Sequence, residues 1–170
     1  MLLALAVVLL VYGAALGHGY VHDDVTLLAE SARLDDPGQL PRALVHDVFW
    51  LADGRVRPSP YWRPLVVLSY YLDHAWGRGA AWAFHLTNLL LLAALAALAT
   101  APPALPALTR RDAGVRAAAL VGIVAHPMMS EVALNITART DLLVALFAVL
   151  TLRTRGPRSL LWTLGALASK

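Results

Sequence analysis

Long apolar blocks separated by polar stretches dominate this chain, and the block lengths predict its elements. A helix that crosses a bilayer needs about 20 mostly apolar residues. Residues 80–101, dense in Leu and Ala, reach that length. Residues 1–17 form a shorter candidate, 114–134 and 136–152 form a third and fourth with no real polar loop between them, and 159–170 begin a fifth. The pattern predicts an all-α polytopic membrane bundle of about four to five transmembrane helices, the 170 residues being the N-terminal portion of a larger transmembrane domain.

The polar stretch 18–79 predicts a large first outer loop that is partly helical. Gln39–Ala52 puts Leu40, Leu44, Val48 and Leu51 on one face, with Arg42, His46 and Asp47 elsewhere. Tyr61–Trp76 becomes helical at Pro64, a favoured first-turn residue, with Leu65, Leu68 and Leu72 on one stripe and Ser69 and Asp73 on another. Both read as amphipathic helices lying on the membrane surface, and Trp50, Trp62, Trp76 and Trp82 suit the headgroup level. Pro58–Pro60 reads as a loop, and Pro102, Pro103 and Pro106 as a break after the second span.

The third and fourth spans leave little slack. Ala117–Leu152 is 36 residues, about 54 Å of straight helix, against about 60 Å for two full crossings. The turn bearing His126, Glu131, Asn135, Arg139 and Asp141 must then sit at or below the headgroups, where ionisable groups pair or line a wet cavity. Pro127 is expected to kink the helix there.

Composition agrees with a membrane protein. Hydrophobic residues make up 59% and charged ones only 15%, against about 25% charged in soluble domains. The net charge of +3 matters less than its placement. Arg110, Arg111 and Arg116 precede the third span and Arg153, Arg155 and Arg158 precede the fifth, which predicts that both clusters and the N-terminus are cytoplasmic and that 18–79 lies outside. No Lys or Arg precedes the first apolar run, so it reads as a retained anchor rather than a cleaved signal. The absence of Cys excludes disulfide and thiolate chemistry. Basic residues sit in short clusters without a basic face, which argues against nucleic acid.

Candidate chemistry falls into a few groups. Asp23 and Asp24 follow the first span and fit a general base, a metal ligand or a helix cap. His126, Glu131, Arg139 and Asp141 fit a polar cavity wall, or an ion pair of Arg139 with Glu131 or Asp141 that pins the hairpin. Arg63 fits a forked grip on phosphate or a snorkel to lipid headgroups. His85 and Asn88 share one face of the second span, as interhelical hydrogen-bonding residues do. Asn135-Ile136-Thr137 matches a glycosylation sequon close to the membrane. No metal site stands out.

These pieces occur in a recognisable order. Asp23-Asp24, YWRPLVVLSYYLDHAW, FHLTNLLL, AHPMMSEVALNITARTDLL and the terminal LASK together resemble the start of the membrane O-mannosyltransferases that carry C-terminal tetratricopeptide repeats, and their bacterial relatives, within the GT-C class of glycosyltransferases. His22, Trp62, Leu92 and Thr140 depart from the usual pattern. The resemblance implies an integral, multi-pass protein of the bacterial inner membrane or endoplasmic reticulum. It implies a polyprenyl-phosphate sugar donor, typically mannose, and a Ser or Thr hydroxyl of an exported protein as acceptor, alongside membrane lipid as a partner. It puts the base on Asp23 or Asp24 and the second motif on His126, Glu131, Arg139 and Asp141. An inverting transfer then uses Asp23 as base and Asp24 to orient it, with Arg139 and Arg63 as phosphate contacts and Asp141 or Glu131 fixing Arg139. A divalent metal held by carboxylates is an alternative source of positive charge. The competing readings are an inactive truncated fragment or membrane scaffold, a transporter subunit, and a secreted protein with a cleaved signal.

Overall fold

A computed structural model describes residues 1–56, 60–101 and 113–170. The loop expected at Pro58–Pro60 in part, and the break at Pro102, Pro103 and Pro106 together with Arg110 and Arg111, lie outside the described residues. Every regular element among the described residues is helical: α1 Leu2–Tyr12, α2 Leu40–Ala43, α3 Trp50–Asp53, α4 Pro64–Gly77, α5 Ala81–Thr100, α6 Ala113–Val124, α7 Pro127–Leu134, α8 Arg139–Arg153 and α9 Pro157–Leu167.

α5 is the axis of the fold, packing against α1, α4, α6 and α8. Its 20 residues make it long and apolar enough to cross a membrane. α6 and α7 pass the same test only as a pair bent by 60°. The described residues therefore hold one such helix, or two with the bent pair, rather than the four to five expected. The shortfall is one of helix length. α1 gives way to a 3₁₀ turn at Gly13–Gly17, and α8 has 15 residues and α9 only 11. At about 1.5 Å per residue, these fall short of about 30 Å of hydrocarbon.

The bend has the expected cause. His126 is extended, Pro127 opens α7, and the His126 imidazole accepts a hydrogen bond from the Met128 N–H. Proline lacks the N–H that would continue α6, so a new helix begins instead. At the α4–α5 corner Arg78 and Gly79 both take left-handed conformations. Gly77 is buried where an added Cβ would lie 2.3 Å from the Ala83 side chain.

The stretch 18–79 is not built as expected. Gln39–Ala52 is not one helix but two short turns, α2 and α3. Asp47 breaks it: its carboxylate accepts from the Phe49 N–H at 2.8 Å, and the Val48 N–H is diverted to the Tyr61 carbonyl. Such side-chain capture of backbone N–H groups competes with helix. The apolar face packs into a core of Leu27, Leu34, Val48, Leu51, Val67 and Tyr70 that also takes in Phe84, Ile136 and Leu143 of the bundle. Trp50 belongs to that core, 7% exposed and covered by the Arg33 guanidinium, so it does not reach a headgroup layer. Trp62, Trp76 and Trp82 are exposed. On α4 the buried face carries Val66, Val67, Tyr70 and Asp73, while Leu72 points outward.

Polarity of the bundle is clear. Met1, Thr100, Ala101 and Arg116 line one pocket, and Arg153 donates to the carbonyls of Leu98 and Ala101. The N-terminus, the end of α5, the start of α6 and the end of α8 thus share one end. Asp24, the start of α5 and the start of α8 share the other.

Candidate active site

The carboxylate pair divides its labour. Asp24 lies in the first turn after the N-terminal segment, is fully buried, and turns inward. Its carboxylate accepts from the Thr137 N–H at 2.9 Å and the Ile136 N–H at 3.3 Å. Those amides open the short turn Ile136–Ala138 that leads into α8, and the Thr137 N–H is shared with the Asn135 Oδ1 at 3.1 Å. Burial raises the Asp24 pKa above the usual carboxylate value, against the lowering pull of these bonds. Asp23, one residue earlier, is exposed.

Asp23 lines a cavity of about 190 Å3 together with Arg63, Tyr70, Glu131, Thr140 and Asp141. Four of the seven residues singled out from the sequence as site candidates therefore meet in one cleft: Asp23, Arg63, Glu131 and Asp141. The first carboxylate of the pair and the tip of the α7–α8 hairpin face the same space. Three carboxylates against one guanidinium leave the cleft net negative. Among the described residues no three metal-ligating side chains converge closely enough to hold an ion.

Three candidates lie elsewhere. Asp24 is the clasp described above. His126 is exposed at the N-terminus of α7 and caps it. Arg139 is wholly buried, and its partner is neither Glu131 nor Asp141 but Asp73, with Nη1 2.6 Å from Oδ2. Its Nε donates to Asn88, Nη1 to Ser69 and Nη2 to the Phe84 carbonyl, at 2.8, 2.9 and 2.8 Å. A guanidinium so committed has no face left for a phosphate. Asp73 also accepts from Thr87 at 2.7 Å. Sequence spacing pointed to neighbours on the hairpin, whereas the pair forms across 66 residues because α4 and α8 pack side by side.

Asn88 does make interhelical bonds, donating to the carbonyls of Val132, Asn135 and Ile136. His85 is buried beside Gly19 and His18. The Arg63 Nε donates to the Lys170 carbonyl at 2.9 Å, and its guanidinium lies 5.0 Å from the Tyr61 ring. The LASK segment is thereby brought to the edge of the cleft, and the Leu65 N–H bonds the Ala168 carbonyl. Asp73, Ser69 and Thr87 were not recognisable as site support from the sequence. The one signal for Ser69 and Asp73 was a polar stripe on the otherwise apolar α4, and Thr87 lies on α5.

No protein-family model matches the chain, and no solved structure does. Curated proteins do. The chain is 33% identical over 151 residues to protein O-mannosyl-transferase Tmtc2 of Drosophila melanogaster, 25% identical over 166 residues to protein O-mannosyl-transferase TMTC3 of Homo sapiens, and 28% identical over 144 residues to protein O-mannosyl-transferase TMTC1 of Mus musculus. These alignments cover 82%, 95% and 83% of this chain, but only 15%, 18% and 15% of the relatives. The resemblance carried by the chain's own motifs is thus to the protein O-mannosyl-transferases, shared with three animal relatives along most of its length.

Proposed function

We propose that this segment supplies part of the active site of a glycosyltransferase of the GT-C kind, which moves a sugar, mannose by analogy with the relatives, from a polyprenyl-phosphate donor to a Ser or Thr hydroxyl of an exported protein. The carrying observation is the exposed carboxylate of Asp23 sharing a small cleft with Arg63. In this reading Asp23 takes the proton of the acceptor hydroxyl as that oxygen attacks the anomeric carbon. The bond from that carbon to the phosphate oxygen breaks on the opposite face, the configuration inverts, and the lipid phosphate leaves with its negative charge. Arg63 meets that charge. The acidic remainder of the cleft, Glu131 and Asp141, suits the neutral sugar and acceptor rather than the phosphate. Asp24 acts on the wall of the cleft and touches no substrate.

The Arg clusters support a cytoplasmic N-terminus and a multi-pass arrangement with the cleft on the non-cytoplasmic face. Arg116 and Arg153 lie at the end of the bundle away from Asp24.

The test is transfer of labelled mannose from polyprenyl-phosphate mannose to a Ser/Thr peptide, in membranes carrying the chain at the full length its reading frame encodes. Transfer by the unaltered protein and its loss in Asp23→Asn support the reading. Retained transfer in Asp23→Asn removes Asp23 from the chemistry, and no transfer by the unaltered protein removes the reading.

A further inference from the structure

We propose that Asp73 and Arg139, held by Ser69, Thr87 and Asn88, form a positioning clamp that fixes the two walls of the cleft relative to each other without touching substrate. The proposal rests on the reading of that cleft as a transferase site.

The geometry carries it. Arg139 sits between Ala138 and Thr140, and both of these line the cleft, as does Asp141. Its own side chain leaves in the other direction and ties α8 to α4 through Ser69 and Asp73, and to α5 through Asn88 and the Phe84 carbonyl. Tyr70 lies under its guanidinium at 5.0 Å, and Tyr70 and Val66 belong to the α4 side of the same cleft. One fully buried side chain therefore joins the helix bearing Asp141 to the helix bearing Tyr70, and Arg63 directly precedes that second helix. Asp24 holds the backbone of Ile136 and Thr137, three and two residues upstream, so the wall is pinned at two points.

A buried ion pair contributes little stability that well-packed apolar side chains would not match, and its attested value lies in fixing one arrangement among several. The planar fork of arginine sets direction as well as charge, which a lysine point charge does not. Displacing catalytic groups by about 1 Å can lower a rate about a hundredfold. The pair therefore acts on the rate through wall geometry.

The experiment uses two sets of variants of the full-length protein in membranes. Ser69→Ala and Thr87→Val each trim one bond from the pair, and the double substitution Asp73→Leu with Arg139→Met removes both charges together. The clamp predicts that the folded double variant loses about a hundredfold in kcat with KM within about twofold. Ser69→Ala and Thr87→Val are predicted to lose a few-fold in kcat with KM unmoved. If the double variant does not fold, the two single variants decide. The chain contains no Cys, so spin labels on Asp23→Cys and Asp141→Cys report the width of the cleft independently of activity. A narrow distance distribution that broadens when the pair is trimmed supports the clamp. Broadening in the labelled protein, where the unlabelled protein with Asp23 and Asp141 intact transfers no sugar, leaves the clamp standing and removes the transferase reading. An unchanged distribution, or unchanged kcat in folded variants of an active protein, overturns the clamp.

Discussion

Asp24 and Thr137 stand 113 residues apart in sequence and share a 2.9 Å hydrogen bond, the buried carboxylate capping the backbone that leads into α8. The bond joins the first carboxylate motif to the hairpin motif. Asp24→Ala leaves the buried Ile136 N–H without an acceptor, while the Thr137 N–H keeps the Asn135 Oδ1 at 3.1 Å. The expected loss is about 1–3 kcal/mol, the cost of one unsatisfied group, read by unfolding of the membrane-reconstituted chain. Asp23→Asn, at an exposed position, is expected to change the same measurement by less than about 0.5 kcal/mol.

The same carboxylate makes a pH prediction. Burial raises the Asp24 pKa, so the folded chain binds its proton more tightly than the unfolded chain does. Stability from this group is then fully present below the ordinary carboxylate value of about 3.9 and is lost as pH rises through the raised folded value. Unfolding midpoints of the unaltered chain are compared with those of Asp24→Asn upward from pH 4. The difference between it and Asp24→Asn should shrink at low pH or grow as pH rises in favour of the neutral amide. An opposite slope for this difference would mean that the backbone bonds outweigh burial.

Gly77 and Ala83 test the corner between α4 and α5. A Cβ on residue 77 would fall 2.3 Å from the Ala83 side chain, so something must shift. Gly77→Ala should cost about 1–3 kcal/mol through overpacking. Adding Ala83→Gly should recover more than half of that loss in a double-mutant cycle.

Asn88 serves both the carbonyls of the 132–136 segment and the Arg139 Nε. Asn88→Leu leaves the Arg139 Nε without its acceptor. A loss of about 2–4 kcal/mol is expected, since the orphaned donor is charged. The neighbouring Leu90, exposed on the same helix, provides the control: Leu90→Ala should cost under about 1 kcal/mol.

Trp76 and Trp82 stack edge to face with ring centres 4.7 Å apart, and both are exposed, whereas Trp50 is buried. In vesicles containing lipids brominated near the headgroup, fluorescence of chains keeping only Trp76 and Trp82 should be quenched strongly. A chain keeping only Trp50 should be quenched weakly.

Some of this could be read in the sequence because it depends on local pattern. The apolar block at residues 81–100 forces a long helix whatever surrounds it, and Pro127 ends one helix and begins another because its ring removes an N–H. The run of motifs was likewise sufficient to indicate the mannosyl-transferase relatives. Other features were decided only when helices packed. Helical spacing suggested Glu131 or Asp141 as partners of Arg139, but packing of α4 beside α8 supplied Asp73. Periodicity suggested one surface helix from Gln39 to Ala52, but Asp47 captured the Phe49 amide and the apolar face packed into a core shared with α5 and α8. Two adjacent aspartates look alike in a sequence. Only the fold turned one inward to an amide pair and left the other at the cleft, because a buried carboxylate must find donors while an exposed one has water.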